Sequence, residues 1–148
     1  KFAICGTGPY KKTFRLMAEE MQLQNMHFLP LQPKEDFNCF LNMANLHLVI
    51  QKEKASDLVM PSKLTTILSV GGLALITANA SSTLHQIVRK HNMGLLVKAE
   101  NQEALNEGIL SAYLSQENDT VRKAARAYAQ QYLAIDKVMH SFELQITG

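Results

Sequence analysis

The amino-acid sequence predicts an α/β fold: a doubly wound, Rossmann-like parallel sheet with helices on both faces and a helical C-terminal tail. Apolar runs alternate with amphipathic stretches along most of the 148 residues, which is typical of a parallel sheet covered on both sides. Hydrophobic residues make up 47% of the chain, enough for one globular core. A single domain is predicted over residues 1–148. Because the chain opens directly on a buried strand, we expect this domain to be incomplete at its N-terminus.

Five short apolar runs are predicted to be strands. The first ends in the turn "GTGP" at residues 6–9, and the second ends at Pro30. The third is uniformly apolar apart from His47, which favours a hydrogen-bonded core histidine over a catalytic one. The predicted strands cover residues 2–5, 26–29, 46–50, 73–77 and 94–97.

Between these strands, apolar residues recur at the spacing of helices that bury one face. The buried face of the first helix is predicted to carry Phe14, Met17 and Met21. In the fifth, Asn101 is a suitable N-cap and Tyr113 belongs to the apolar side. The predicted helices cover residues 12–24, 34–45, 61–70, 82–91 and 101–115.

The segment 118–148 is predicted to be a helical tail with two apolar stripes, separated by a break near residues 134–136. The first stripe comprises Val121, Ala124, Ala125, Tyr128, Tyr132 and Leu133. The second comprises Ile135, Val138, Met139, Phe142 and Ile146.

Composition argues against several classes of function. The net charge of +2 is too small for a nucleic-acid partner, which requires a concentrated basic stripe. No apolar run approaches the roughly 20 residues that cross a bilayer. Cys5 and Cys39 are interpreted as small apolar residues in a reducing compartment. The five histidines are scattered singly, with no metal-ligand spacing, so we expect no metal. No cofactor is expected either.

The helix that begins at Pro61 carries the most informative chemistry. Proline suits the first helical position, and Met60 before it offers no capping oxygen. The N–H groups of Ser62, Lys63 and Leu64 are then left without an evident partner. Together with a hydroxyl and an ammonium they would form an anion site that a diphosphate satisfies. Alternatively, Ser62 itself caps the helix and Lys63 points to solvent.

The turn at residues 6–9 lies where ligands bind in an open parallel sheet, at the carboxyl end of a strand. It lacks the third glycine and the downstream acid of a dinucleotide fingerprint, so no NAD site is predicted. The same glycine pair also suits a tight strand-to-helix turn with no ligand.

The chain resembles the C-terminal, donor-binding domain of a retaining, B-type two-domain glycosyltransferase. Four segments carry the resemblance in this order: "FAICGTGPYKK", "NMHFLPLQPKEDF", "MPSKLTTILSVGGLALITA" and "GLLVKAENQEALNEGI". The resemblance runs from residue 2 to about residue 142. Within the family, the chain is more similar to the bacterial enzymes that build capsular, colanic-acid and O-antigen polysaccharides. It implies one half of a GT-B architecture, with the nucleotide-sugar donor held mainly by this half.

The resemblance also implies site residues. Gly6, Thr7 and Gly8 would line the nucleotide pocket, and Pro30 and Leu31 would lie against the base. The helix start facing the donor phosphates would comprise Pro61, Ser62, Lys63 and Leu64.

This sequence departs from the family pattern beside that helix. Family members commonly carry two glutamates, of which the second, usually on the ribose, aligns with Thr66. The first aligns near Leu58, with Asp57 beside it. Thr66 could still exchange one hydrogen bond with a ribose hydroxyl. The other phosphate-binding basic residues of the family would precede Lys1.

The implied activity is transfer of a sugar from a nucleoside diphosphate to a glycan or lipid-linked acceptor, with retention at the anomeric carbon. Preorganised N–H groups and cations would stabilise the leaving diphosphate, and no catalytic residue is identified. The acceptor site would belong to an N-terminal half of the same chain, against which the second tail stripe would pack, so this fragment alone would be inactive. The expected location is cytoplasmic, either free or peripheral at the inner face of the bacterial membrane.

Two alternatives stay open. One is a nucleotide-sugar-binding module without catalysis, which the absent glutamate pair favours. The other is a receiver-like signalling domain, suggested by Thr77 and Lys98 at strand ends. Receivers need an acidic cluster for magnesium and a phospho-accepting aspartate, and Gln51 stands at the place of that aspartate.

Overall fold

The structure, a computed structural model, describes residues 1–52 and 60–147. It comprises two compact units, Lys1–Phe40 and Leu41–Gly148. The single domain predicted for residues 1–148 stays a prediction. The strands are β1 (Phe2–Cys5), β2 (Met26–Leu29), β3 (His47–Val49), β4 (Ala74–Thr77) and β5 (Leu95–Val97). The helices are α1 (Lys11–Glu20), α2 (Phe37–Asn42), α3 (Ser62–Ser69), α4 (Thr83–His91), α5 (Gln102–Leu114), α6 (Asn118–Tyr128) and α7 (Ile135–Thr147).

All described strand pairs are parallel, as the α/β fold class predicts. In the first unit β1 pairs with β2, and Phe2 lies opposite Met26. In the second unit the strand order is β3-β4-β5, with Leu48 opposite Leu75. The carboxyl ends of the strands within each sheet therefore lie at one edge, where the predicted ligand loops begin.

The first unit covers little of its helix. Of α1 only Ala18 is buried, at 7% exposure, because a two-stranded sheet is too narrow to cover a whole helix face. The prediction that Phe14, Met17 and Met21 form a buried face is wrong for this unit, since each is about half exposed or more. The helix also ends earlier than predicted, and Gln22 beyond it adopts a positive φ of 52°.

The second unit is wound on both faces of its sheet. Ala74 and Ile76 of β4 pack in one cluster with Ile67 of α3 and Val88 of α4. Leu75, which points the opposite way on the same strand, lies beside Gly108 of α5. Ile67, Leu68 and several neighbours have no exposed surface, and each such side chain contributes about 1.5–3 kcal/mol by its burial.

Local capping chemistry fixes three helix ends. Ser82 accepts a hydrogen bond from the His85 N–H at 3.1 Å at the start of α4. Asn101 accepts from the Ala104 N–H at 2.8 Å at the start of α5, which confirms the predicted cap. Gly71 follows α3 with a φ of +67°, the left-handed turn that favours glycine.

The chain after Asn118 is helical, with a π-helical segment, Ala129–Leu133, between α6 and α7. Val121 and Ala125 are buried, whereas Tyr132 is 46% exposed. Tyr113 of α5 was predicted to join the apolar side but is 84% exposed. The second stripe is exposed along α7, at Ile135, Val138, Met139, Phe142 and Ile146.

Candidate functional site

Helix α3 starts differently from the prediction. Pro61 has extended backbone angles and is the N-cap, so the helix begins at Ser62. The carbonyl oxygen of Pro61 accepts from the N–H of Leu64 at 2.9 Å and of Thr65 at 3.2 Å. The prediction that the Leu64 N–H is free for an anion is therefore wrong, and so is the alternative that Ser62 caps the helix.

Two amides at this helix start keep the character of an anion site. Within residues 1–52 and 60–147, no acceptor is hydrogen-bonded to the N–H of Ser62 or of Lys63. Both residues are exposed, whereas the Leu64 side chain has no exposed surface. Leu64 therefore anchors the helix in the core. Of these three residues, a ligand could reach only Ser62 and Lys63.

The Lys63 ammonium does not extend freely into solvent. It donates a hydrogen bond to the carbonyl oxygen of Leu48 in β3 at 2.8 Å. Partial loss of solvent around the charged group lowers the pKa of Lys63, although the side chain as a whole keeps a large exposed surface. An ammonium has three N–H donors, so with respect to residues 1–52 and 60–147 two remain for a ligand.

Thr66 has its hydroxyl proton engaged within the helix. Its Oγ1 donates to the carbonyl oxygen of Ser62 at 2.9 Å, and Thr65 Oγ1 donates to the same oxygen at 2.8 Å. Thr66 can therefore accept from a ribose hydroxyl without losing this bond. Asp57 and Leu58, the counterparts of the first family glutamate, lie outside the described residues.

Beneath α3, His47 is buried at 9% exposure. Burial, the positive charges of Lys63 and Arg122, and a hydrogen bond to the Leu41 backbone act on it, and their net effect lowers its pKa. Among the described residues its Nε2 has no hydrogen-bond partner. A Cβ at Gly72 would lie 2.9 Å from that atom, so the histidine is closely packed from one side. The prediction of a core histidine is confirmed.

The carboxyl ends of β3 and β4 are tied together by one hydroxyl. Thr77 Oγ1 accepts from the Gln51 N–H at 2.7 Å and donates to the Gln51 carbonyl oxygen at 3.0 Å. Thr77 is only 3% exposed, so its hydroxyl is committed to positioning the start of the β3–α3 loop. The sequence predicted this residue at the end of a strand and offered a role for it only in the receiver-domain alternative.

In the first unit, the predicted nucleotide loops are open to solvent. Gly6 has a φ of +144°, a conformation that other residues rarely adopt, and a Cβ added there or at Gly8 would meet no atom within 4 Å. Thr7, Pro30 and Leu31 are exposed. A ligand could therefore approach the backbone of both loops closely.

Sequence reasoning missed Lys11, which joins these two loops. Its ammonium donates to the carbonyl oxygen of Gly6 at 2.8 Å and of Leu29 at 2.6 Å. The available signal was a cation in the first turn of α1, where the helix dipole disfavours a positive charge, as it does at Lys63. Lys11 and Lys63 each donate to carbonyl oxygens that lie within a strand of the same unit or directly after it.

A shallow groove of about 670 Å³ lies elsewhere in the first unit, along α1 and β2. Arg15 and Phe28 line it, with the guanidinium 5.4 Å from the ring centroid. It contains none of the predicted site residues. Among the described residues, no group of three or more histidine, cysteine or acidic side chains could hold a metal. None of the described helices is long and apolar enough to cross a membrane.

The fold and its helix start define the class: a Rossmann-like α/β protein with parallel strands and open loops at their carboxyl ends. The family follows from the sequence profile of "Glycosyl transferases group 1", which matches residues 1–132. The chain belongs to this family.

One relative matches nearly the whole chain. It is WcaI of Escherichia coli (strain K12), a protein assigned as a colanic acid biosynthesis glycosyl transferase. The two are 42% identical over 148 residues, which is 99% of this chain and 36% of the relative. The chain thus spans about a third of that relative's length.

Two solved structures share the fold. WaaG, a glycosyltransferase involved in lipopolysaccharide biosynthesis, is 22% identical with a TM-score of 0.65, over 86% of this chain and 33% of WaaG. HepE of Anabaena, solved in complex with UDP, is 14% identical with a TM-score of 0.69, over 93% of this chain and 36% of HepE. Both share the α/β fold of this chain, in agreement with the predicted fold class.

Proposed function

We propose that this chain is the donor-binding half of a retaining glycosyltransferase that transfers a sugar from a nucleoside-diphosphate sugar to a polysaccharide or lipid-linked acceptor. Membership of the group 1 glycosyl transferases supports sugar transfer. The similarity to WcaI, assigned to colanic acid biosynthesis, supports a polysaccharide acceptor. The UDP bound to HepE supports a nucleoside diphosphate as ligand.

The observation that carries the proposal is the first turn of α3. Its exposed residues present the N–H groups of Ser62 and Lys63 together with the spare donors of the Lys63 ammonium. A diphosphate placed there would gain hydrogen bonds and favourable charge from the helix N-terminus. As the bond to the sugar breaks, the leaving diphosphate gains negative charge, which these fixed donors stabilise.

The nucleotide is assigned to the first unit, with Gly6, Thr7 and Gly8 on one loop and Pro30 and Leu31 on the other. Their exposure and the empty space at both glycines support this assignment. In the second unit, taken by itself, Ser62 and Lys63 are assigned to bind a diphosphate, and Thr66 to accept from a ribose hydroxyl. No metal or cofactor takes part in this proposal.

We further propose that an N-terminal acceptor half belongs to the same protein and that α7 packs against it. The chain spans 36% of WcaI, and the apolar side chains of α7 are about half exposed or more. An exposed stripe of this kind favours a protein partner over solvent. The fragment alone is then inactive, and the protein works in the cytoplasm or at the inner face of the bacterial membrane.

Calorimetric titration of the chain with UDP, GDP and dTDP, each alone and as a nucleotide sugar, tests the proposal. We expect weak binding by one of these nucleotides and a matching rise in melting temperature. No heat and no thermal shift with any of them would contradict it.

A nucleotide-sugar-binding module without catalysis is the second candidate. It is favoured by Thr66, whose single hydroxyl replaces an acid that could hold two ribose hydroxyls. Incubation of the intact protein with the sugar nucleotide that binds best separates the two candidates. Slow release of free sugar supports the enzyme, and tight binding with no release or transfer supports the module. Because the chain belongs to the group 1 glycosyl transferases, the receiver-domain alternative is rejected.

A further inference from the structure

Lys11 occupies a central place among the loops of the first unit. It stands at the start of α1, directly after the turn at residues 6–9, and its side chain is half-buried. Its ammonium spans the carboxyl ends of both strands of the sheet, with bonds to Gly6 beyond β1 and to Leu29 at the end of β2. One side chain thus joins the two loops.

The two carbonyl oxygens that Lys11 binds belong to the last residue of β2 and to the residue directly after β1. A charged donor that serves two acceptors holds them more firmly than neutral contacts would. The loop after β2 is tied down further, since Pro30 accepts from Gln32 Nε2 at 2.9 Å and from the Cys5 thiol at 3.0 Å. Lys11 is the only one of these contacts that reaches both loops.

The charge of Lys11 is not neutralised nearby. Within the described residues no carboxylate forms an ion pair with it, and both of its partners are backbone carbonyls. The clamp therefore does not depend on an acid that could titrate. Lys12, the next residue, carries the same charge and is exposed, and it makes no such bonds in the part of the chain that the structure describes, so it is a natural control.

We propose that Lys11 is the positioning residue of the nucleotide pocket: it holds the Gly6–Gly8 loop and the Pro30–Leu31 loop at the separation that a nucleotide requires. This inference rests on the proposed function and deepens it. Lys11 acts through the loops and not on the diphosphate, which is assigned to the first turn of α3. Its loss should therefore weaken recognition of the nucleotide without weakening recognition of pyrophosphate.

The test uses the intact protein as wild type, Lys11→Met, Lys11→Arg and Lys12→Met, titrated with UDP, GDP, dTDP and inorganic pyrophosphate. For the nucleoside diphosphate that binds best, we expect Lys11→Met to weaken binding about tenfold or more, the usual effect of losing hydrogen bonds to a charged group. Pyrophosphate affinity stays as in wild type. Lys11→Arg, which can also donate to two carbonyls, restores most of the loss, and Lys12→Met changes nothing.

Equal affinities of Lys11→Met and Lys12→Met for the nucleotide would overturn the inference. The hydrogen bonds of Lys11 would then contribute nothing beyond the positive charge that both lysines carry. An equal loss of pyrophosphate and nucleotide affinity in Lys11→Met would overturn it too. If Lys11→Met does not fold, Lys11→Gln takes its place, since its amide can still donate to one carbonyl. A wild-type protein that binds none of the three nucleotides overturns the proposed function itself, and this inference with it.

Discussion

The ammonium nitrogen of Lys63 lies 2.8 Å from the carbonyl oxygen of Leu48, which ties the first turn of α3 to strand β3. A cation in the first turn opposes the helix dipole, so its presence there needs a stabilising partner. Leu48 supplies part of that stabilisation. The remaining donors of Lys63, and the desolvation that lowers its pKa, leave a cation that would gain further from an anion.

Binding of a diphosphate should raise the pKa of Lys63. The free protein holds it below the ordinary value of 10.5 because of burial, and a nearby anion favours the charged form. The change in this pKa is measured by NMR, from the lysine methylene resonances titrated against pH with and without UDP. A Lys63→Arg variant assigns the resonances of Lys63. An unchanged pKa of Lys63 in the nucleotide complex would argue against contact with the phosphates.

Gly8→Ala should leave stability unchanged and weaken nucleotide binding. An added Cβ at this position meets no protein atom within 4 Å, so any loss must come from the ligand that approaches the loop. Gly6→Ala is the contrast, because its φ of +144° adds backbone strain of about 1–3 kcal/mol whatever the space. Thermal melts and UDP titrations of both variants separate strain from ligand contact. Wild-type nucleotide affinity in Gly8→Ala would show that Gly8 does not contact the ligand.

Ile67→Ala should destabilise the protein by about 2–5 kcal/mol, because it opens a cavity in a core where Ile67 has no exposed surface. Ile135→Ala removes the same atoms from α7, where the residue is 74% exposed, and should cost less than about 0.5 kcal/mol in this chain. Urea denaturation of the two variants measures both values. Similar losses would mean that α7 is packed against the rest of the chain.

His47 should make the protein less stable as pH falls below the ordinary histidine pKa of 6.5. The folded state lowers the pKa of this imidazole, so the unfolded chain takes up its proton first and is favoured on acidification. The loss of unfolding free energy increases as the pH falls from 6.5, and it reaches its limit once His47 is protonated in the folded state too. The positive charges of Lys63 and Arg122 act in the same direction as burial.

The measurement is the difference in unfolding free energy between about pH 7.5 and pH 5.5, compared between variants. His47→Asn removes the titrating group and keeps a donor for the Leu41 backbone, so this difference should shrink. His27→Asn, at an exposed position, should leave it as in wild type. An identical pH response in His47→Asn and wild type would show that other groups cause the effect.

The strands were predicted to within one residue at each end because each is a short apolar run with turn residues or polar loops around it. The cap at Asn101 was also predictable, since capping is a local property of sequence. Helical spacing alone, however, shows which residues share a face and not whether anything covers it. Phe14 and Met17 follow the right spacing on a helix that its two-stranded sheet leaves mostly exposed.

The candidate site was predictable in location but not in its contacts. The start of α3 is marked by Pro61 and the polar residues after it, which any reading of the sequence finds. The bonds from Lys63 to Leu48 and from Lys11 to Leu29 join residues 15 and 18 positions apart, and they depend on how strands and helices pack. No local pattern encodes such contacts, so they required the structure.

The central claim is that the exposed first turn of α3 binds the diphosphate of a nucleotide sugar. Titration of pyrophosphate and UDP into Lys63→Met and Lys90→Met, each beside wild type, tests it most directly. We predict that Lys63→Met loses about tenfold in affinity for both ligands, the usual effect of losing a charged hydrogen bond. Lys90→Met should match wild type. Equal affinities in the two variants would contradict the claim.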